Sequence, residues 1–240
     1  MASRKLQHHY RLLLANCVLL MATFTLPDPW YHLAMPGYLT LGVVMLRALG
    51  RRCRHGGRSG RGALASLRLY QGMGVAALAV GTLWMLTPLG LRGTGVPVAA
   101  LWALFSVWSA LRLVRQLGEE RSVNAAVLRG ALGGYLMLGL AGGLVFAALE
   151  TTVPGSFSGV ELASSGPGGQ DPVWALNFVE LNYFAFVTLT TTGYGELLPV
   201  TPLAQMSSMA LAIAGNIYLA SVLGLLIGRF SAQNDSGERG

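Results

Sequence analysis

The sequence predicts an all-α membrane protein of six transmembrane helices, with a re-entrant loop between the fifth and the sixth. Three observations carry that fold class. Of 240 residues, 53% are hydrophobic and 11% charged, which leaves too little polar surface to cover a soluble domain. Six apolar segments approach or reach the length needed to cross hydrocarbon, about 20 residues; they are 12–26, 30–49, 69–89, 96–114, 131–149 and 203–227. Basic residues segregate with that count. With the amino terminus inside, Arg4, Lys5, Arg11, Arg47, Arg51, Arg52, Arg54, Arg58, Arg61, Arg68, Arg112, Arg115, Arg121, Arg129, Arg229 and Arg239 share the inner side, and of the 17 basic residues only Arg92 is outside. Both termini are therefore expected in the cytoplasm, and the chain is expected to be multi-pass in the cell membrane.

The first segment has a basic flank and a short apolar core like a secretory signal, but no small-x-small cleavage site follows. It is read as a retained span, with the later spans keeping their orientation either way. Pro36 interrupts the second. The loop 49–62 is rich in glycine and arginine, and Arg51, Arg52, Arg54, Arg58 and Arg61 act as an orientation anchor that anionic headgroups can also bind. The fourth span carries only Arg112 and Arg115, both at its inner end, and no acidic residue occurs in 29–118. A voltage sensor must move several charges through the field, so strong voltage gating is not expected. Residues 117–129, with Glu119-Glu120-Arg121, form an inner linker helix or a solvated connection.

The fifth span holds Gly130, Gly133, Gly134, Gly139, Gly142 and Gly143. Small residues four apart let helices approach closely in lipid. Residues 151–170 are rich in Gly, Ser and Pro, as an exposed outer loop would be. Asp171-Pro172 then opens a short helix, with a capping carboxylate and proline at the first helical position, that runs to about Thr190. Beyond it, residues 188–196 place threonines and paired glycines between two apolar spans. Irregular backbone at membrane depth survives only where it lines water or is buried in protein, so this stretch reads as a pore lining. The last span contains Ala214-Gly215-Asn216, and a short polar tail follows Arg229.

The acidic residues Asp28, Glu150, Glu161, Asp171, Glu180 and Glu196 fall on the outer side, where a negative vestibule would concentrate cations. The net charge of +7 is thus a topology signal and gives no support for nucleic-acid binding. Cys17 and Cys53 cannot form a disulfide framework. His8, His9, His32 and His55 show no ligand spacing. No nucleophile with partners or buried acid pair suggests an enzyme.

The run Thr191-Thr192-Gly193-Tyr194-Gly195 resembles the selectivity-filter signature of the potassium-channel family. The resemblance covers residues 128 to about 230 and includes Pro199 and the downstream Gly215. It implies a division into a four-span membrane domain (1–127), a two-span pore domain (128–230) and a short cytoplasmic tail (231–240). It also implies a homotetramer, three further copies of the chain being the partners. Rings of backbone carbonyls replace the water around a dehydrated cation, and potassium would sit at Thr191, Thr192, Gly193 and Tyr194. Potassium is then the permeant ion, and no cofactor is expected. Gly193 and Gly195 can adopt the positive φ that turns successive carbonyls one way. Gly215 stands where the family has its inner-helix hinge, with close packing beneath the filter as the other reading. Two positions depart from the family pattern. Glu196 and Tyr183 replace an aspartate and tryptophan pair, and Phe184 replaces a second tryptophan, so filter support differs while selectivity is kept. A less selective cation channel and a subunit of a potassium transporter are the alternatives.

Overall fold

In the computed structural model, residues 2–26, 34–50, 61–86, 96–119, 125–160 and 177–237 are described. They form seven helices, namely α1 (Ala2–Thr23), α2 (Ala34–Leu49), α3 (Arg61–Leu86), α4 (Val96–Glu119), α5 (Ala125–Thr152), α6 (Asn177–Leu189) and α7 (Pro202–Gly237). A two-residue ladder adds β1 (Phe157–Ser158) antiparallel to β2 (Leu198–Pro199), with Phe157 opposite Pro199 and Ser158 opposite Leu198. Among the described residues the protein is all-helical apart from that ladder. By length and composition, Ala125–Thr152 and Pro202–Val222 suffice to cross a membrane.

Helix α5 is the hub, and its glycines explain why. Neighbours lie against all six, and at every one but Gly133 they stand closer than a side chain would ordinarily allow. Gly130 lies against Tyr10 of α1 and Leu117 of α4, and Gly133 against the α1 backbone at Leu14. Gly134 admits the Tyr218 hydroxyl of α7, Gly139 the Phe186 ring of α6, Gly142 the Leu211 side chain of α7, and Gly143 the Asn182 amide of α6. Backbones that approach this closely gain dispersion contacts, the main source of helix association where the surroundings are already apolar. Two hydroxyls then satisfy backbone carbonyls within the packed layer. Tyr218 donates to the Ala131 carbonyl at 2.6 Å, and Tyr135 donates to the Leu189 carbonyl at 3.3 Å.

The amino-terminal helices are joined by aromatic and hydroxyl contacts. Tyr70 of α3 shares a hydrogen bond with Ser109 of α4 at 2.9 Å, donates to the Met45 carbonyl of α2 at 3.4 Å, and stacks on Phe105. The Arg112 guanidinium lies 4.5 Å from the centre of the Tyr70 ring. A cation over an aromatic face is attracted by the ring quadrupole, so this arginine has an aromatic contact on a neighbouring helix.

Several boundaries differ from the sequence expectation. Pro36 does not break α2. It falls in the first turn, where a missing N–H removes no helical bond. Helices α1 and α3 begin at Ala2 and Arg61, well before their apolar segments, and α7 continues through the polar tail to Gly237. Charged residues end an apolar run without ending a helix. The arginine-rich residues 51–60 and the Asp171-Pro172 helix start lie outside the described residues, which rejoin the short helix at Asn177.

Candidate functional site

The pore-lining candidate begins where α6 stops. Thr191 has φ of +58°, and the chain around it closes a left-handed helix cap. The Thr191 N–H donates to the Thr188 carbonyl at 3.0 Å, and the Thr192 N–H reaches back to the Val187 carbonyl at 2.9 Å. That pair of bonds is the Schellman pattern, in which the left-handed position is usually glycine. A β-branched residue there is a genuine outlier, and such outliers cost on the order of 1–3 kcal/mol and cluster at functional segments.

Positive φ recurs at every second residue, with Gly193 at +56° and Gly195 at +93°, while Thr192 and Tyr194 keep negative values. A backbone that alternates between left- and right-handed values points successive N–H groups to one side and their carbonyls to the other. Residues 190–196 are exposed in the single chain, Tyr194 at 72%. A Cβ added at Gly193 or Gly195 would meet nothing within 4 Å. Glycine is therefore required at both positions by the backbone rather than by crowding.

Support comes from both ends of the stretch. At the α6 end the Thr190 hydroxyl donates to the Phe186 carbonyl at 2.7 Å and lies 2.9 Å from the Thr192 hydroxyl. At the far end the Tyr183 hydroxyl lies close enough to the Glu196 carboxylate to interact with it; the family resemblance had suggested these two residues as a pair. Phe184 is buried on the other side of α6 in a cluster of three rings, 5.3 Å from Phe146 and 5.5 Å from Phe157 between ring centres. It packs the short helix against α5 and β1.

Gly215 lies directly beneath the end of α6. A Cβ there would stand 2.5 Å from the Leu189 carbonyl oxygen and 2.8 Å from the Leu189 side chain. Helix α7 runs through this position unbroken. Its start is sharply defined, since the Thr201 hydroxyl accepts from the Ala204 N–H at 3.4 Å and Pro202 occupies the first helical position.

Two features were not read from the sequence. Glu150 falls near the carboxyl end of α5, and its side chain is 6% exposed and buried rather than lining an open vestibule. Its carboxylate accepts from the Gly155 N–H at 2.7 Å and the Phe157 N–H at 3.0 Å. The turn it holds passes to β1, and the Ser156 carbonyl there accepts from the Val200 N–H at 2.8 Å. One buried carboxylate thus anchors the strand that receives the chain after Glu196. A lone acid at the end of an apolar span is the signal that could have found it. The second is Asn182, a buried amide within an otherwise apolar face of α6.

The class of protein is approached through a short helix and a loop of alternating φ sign, set between two helices long and apolar enough to cross a membrane. Residues 135–232 match the family model described as an ion channel, and the match supports the potassium-channel resemblance over that segment. Over these residues the chain is similar to an ion-channel domain. No curated protein and no solved structure matches the chain.

Proposed function

We propose that the protein is a potassium-selective channel that conducts passively through a homotetrameric pore, with residues 191–195 of four copies forming the selectivity filter. The alternation of φ sign through Thr191, Gly193 and Gly195 carries the reading, because it is the backbone pattern that turns consecutive carbonyl oxygens toward one axis. Carbonyl rings replace the hydration shell of a dehydrated cation, with potassium at Thr191, Thr192, Gly193 and Tyr194. The carboxyl end of α6 adds partial negative charge at the same place.

A single chain supplies one such strand, and two observations support further copies around it. The filter residues have open space beside them. On α7, Leu203, Met206, Met209, Ile213 and Ile217 recur at helical spacing and are all more than half exposed, a stripe that neighbouring inner helices can cover. Six spanning helices per subunit, cytoplasmic termini and the absence of a strong voltage sensor complete the reading, and basic residues 51–61 can rest on anionic headgroups.

The test is potassium flux from liposomes that contain the purified protein, with barium as blocker. Wild type is expected to pass potassium well ahead of sodium. Gly193→Ala, which forces a side chain onto a backbone at φ of +56°, is expected to abolish selective flux. Equal sodium and potassium permeability would replace this reading with a less selective cation channel, and undiminished flux in the variant would refute the filter assignment.

A further inference from the structure

The pore helix is held from behind by the amino-terminal helices, at a point that nothing in ion coordination requires. Tyr38 of α2 is buried, and its hydroxyl donates to Asn182 Oδ1 of α6 at 3.2 Å. Asn182 is 1% exposed, and its Nδ2 donates to the Phe178 carbonyl at 2.8 Å. The amide occupies the groove left by Gly143, where a Cβ would collide with Asn182 Oδ1. The first turns of α6 are gripped as well. The Phe178 ring meets Tyr38 edge-on at 5.5 Å and Phe24, just beyond α1, at 5.9 Å.

A buried amide without partners costs free energy, so an asparagine on this face is retained only if the surrounding helices complete its bonds. Here α5 makes the room and α2 supplies the donor. The next residue, Tyr183, has its hydroxyl near the Glu196 carboxylate at the end of the filter stretch. Adjacent residues of one short helix therefore face opposite ways, one tied to α2 and the other to the loop that follows the filter.

We propose that Tyr38 is a positioning residue for the filter, and that the amino-terminal helices act on conduction at the pore helix through the Tyr38–Asn182 bond. This inference rests on the channel reading above and assigns the amino-terminal unit a role in it. When α2 withdraws the hydroxyl, Asn182 loses its acceptor bond, α6 gains freedom to rotate, and Tyr183 carries that freedom to Glu196. The expected result is a filter that stops conducting sooner while its ion sites are intact.

The test compares wild type, Tyr38→Phe, Asn182→Leu and the double variant. Tyr38→Phe keeps the ring contacts with Phe178 and deletes only the hydroxyl. In planar bilayers it is expected to speed the decay of current roughly fivefold, the factor that corresponds to one ordinary hydrogen bond, with single-channel conductance unchanged. Asn182→Leu should do the same, and the double variant should be no worse than either single one. Additive effects, or a Tyr38→Phe current identical to wild type, would overturn the proposal. Hydrogen exchange supplies a readout that does not depend on conduction, since amides 183–196 are expected to exchange faster in Tyr38→Phe. Unchanged exchange with normal potassium flux would defeat the coupling and leave the channel standing. A wild type that passes no potassium would defeat the channel reading and the filter role of Tyr38 with it.

Discussion

Replacing Gly215 by alanine separates two roles for this residue, and the structure sets the size of the effect. The new methyl would lie 2.5 Å from the Leu189 carbonyl oxygen, whereas carbon and oxygen atoms in proteins approach to about 3.3 Å. Roughly 0.8 Å must be found by moving backbone, because the obstacle is a main-chain carbonyl. That carbonyl also accepts the Tyr135 hydroxyl, so a retreat of α6 strains a second contact. Overpacking of a close-packed layer costs about 1–3 kcal/mol. The displaced atom is one residue from Thr190, and its shift passes directly into residues 191–195. Gly215→Ala is therefore expected to unfold at lower temperature in detergent and to lose discrimination of potassium over sodium in liposomes. Alanine also stiffens a helix at a glycine, so a pure hinge role predicts the opposite combination, altered opening with stability and selectivity kept. A variant as stable and as selective as wild type would refute the packing argument.

Two further changes test the outer support. Glu150→Gln retains one acceptor oxygen but presents an amide N–H₂ to a backbone donor, and loss of a charge-assisted bond costs about 1.5–3 kcal/mol. A lowered thermal midpoint and faster current decay are expected, and an unaltered midpoint would show that the turn at 153–157 holds without the carboxylate. Tyr183→Phe removes the hydroxyl near Glu196 and leaves the ring in place. Because this pair is exposed in the single chain, its effect is expected in the rate at which current decays and recovers, with stability hardly changed, and unchanged kinetics would remove Tyr183 from filter support.

What could be read in advance follows the range of the interaction concerned. The glycines of α5 announced close packing because a backbone approach leaves its mark as small residues four apart. Which helix fills each groove depended on tertiary placement, so α1 at Gly133 and α6 at Gly139 were not foreseeable. Tyr183 and Glu196 were legible as a pair only through the family resemblance, since half of α6 and the loop 190–195 separate them in sequence. Tyr38 and Asn182 were not, being 144 residues apart. The positive φ of Thr191 was not foreseen, because propensity argues against a β-branched residue in that conformation. Glu150 was read as a vestibule carboxylate, and its burial against the Gly155 and Phe157 amides gives it a different task. Helix ends were the least legible, since hydropathy marks where a helix meets lipid and says little about where its hydrogen bonds stop.

The contacts around α6 divide sharply at its carboxyl end. Up to Leu189 the helix is held on three sides within one chain, by Gly139 and Gly143 of α5, by Gly215 of α7 and by Tyr38 of α2. After Glu196 the chain is caught again by the β1–β2 ladder and by Ser156. Between these anchors the Tyr183–Glu196 contact and the threonine hydroxyls are local, and nothing flanks Gly193 or Gly195 within 4 Å. The contacts within one chain therefore set where the strand begins and where it ends. On the proposed homotetrameric reading, the distance of its carbonyls from a shared axis would come from the packing of one copy against the next, which makes assembly and ion selectivity a single physical question.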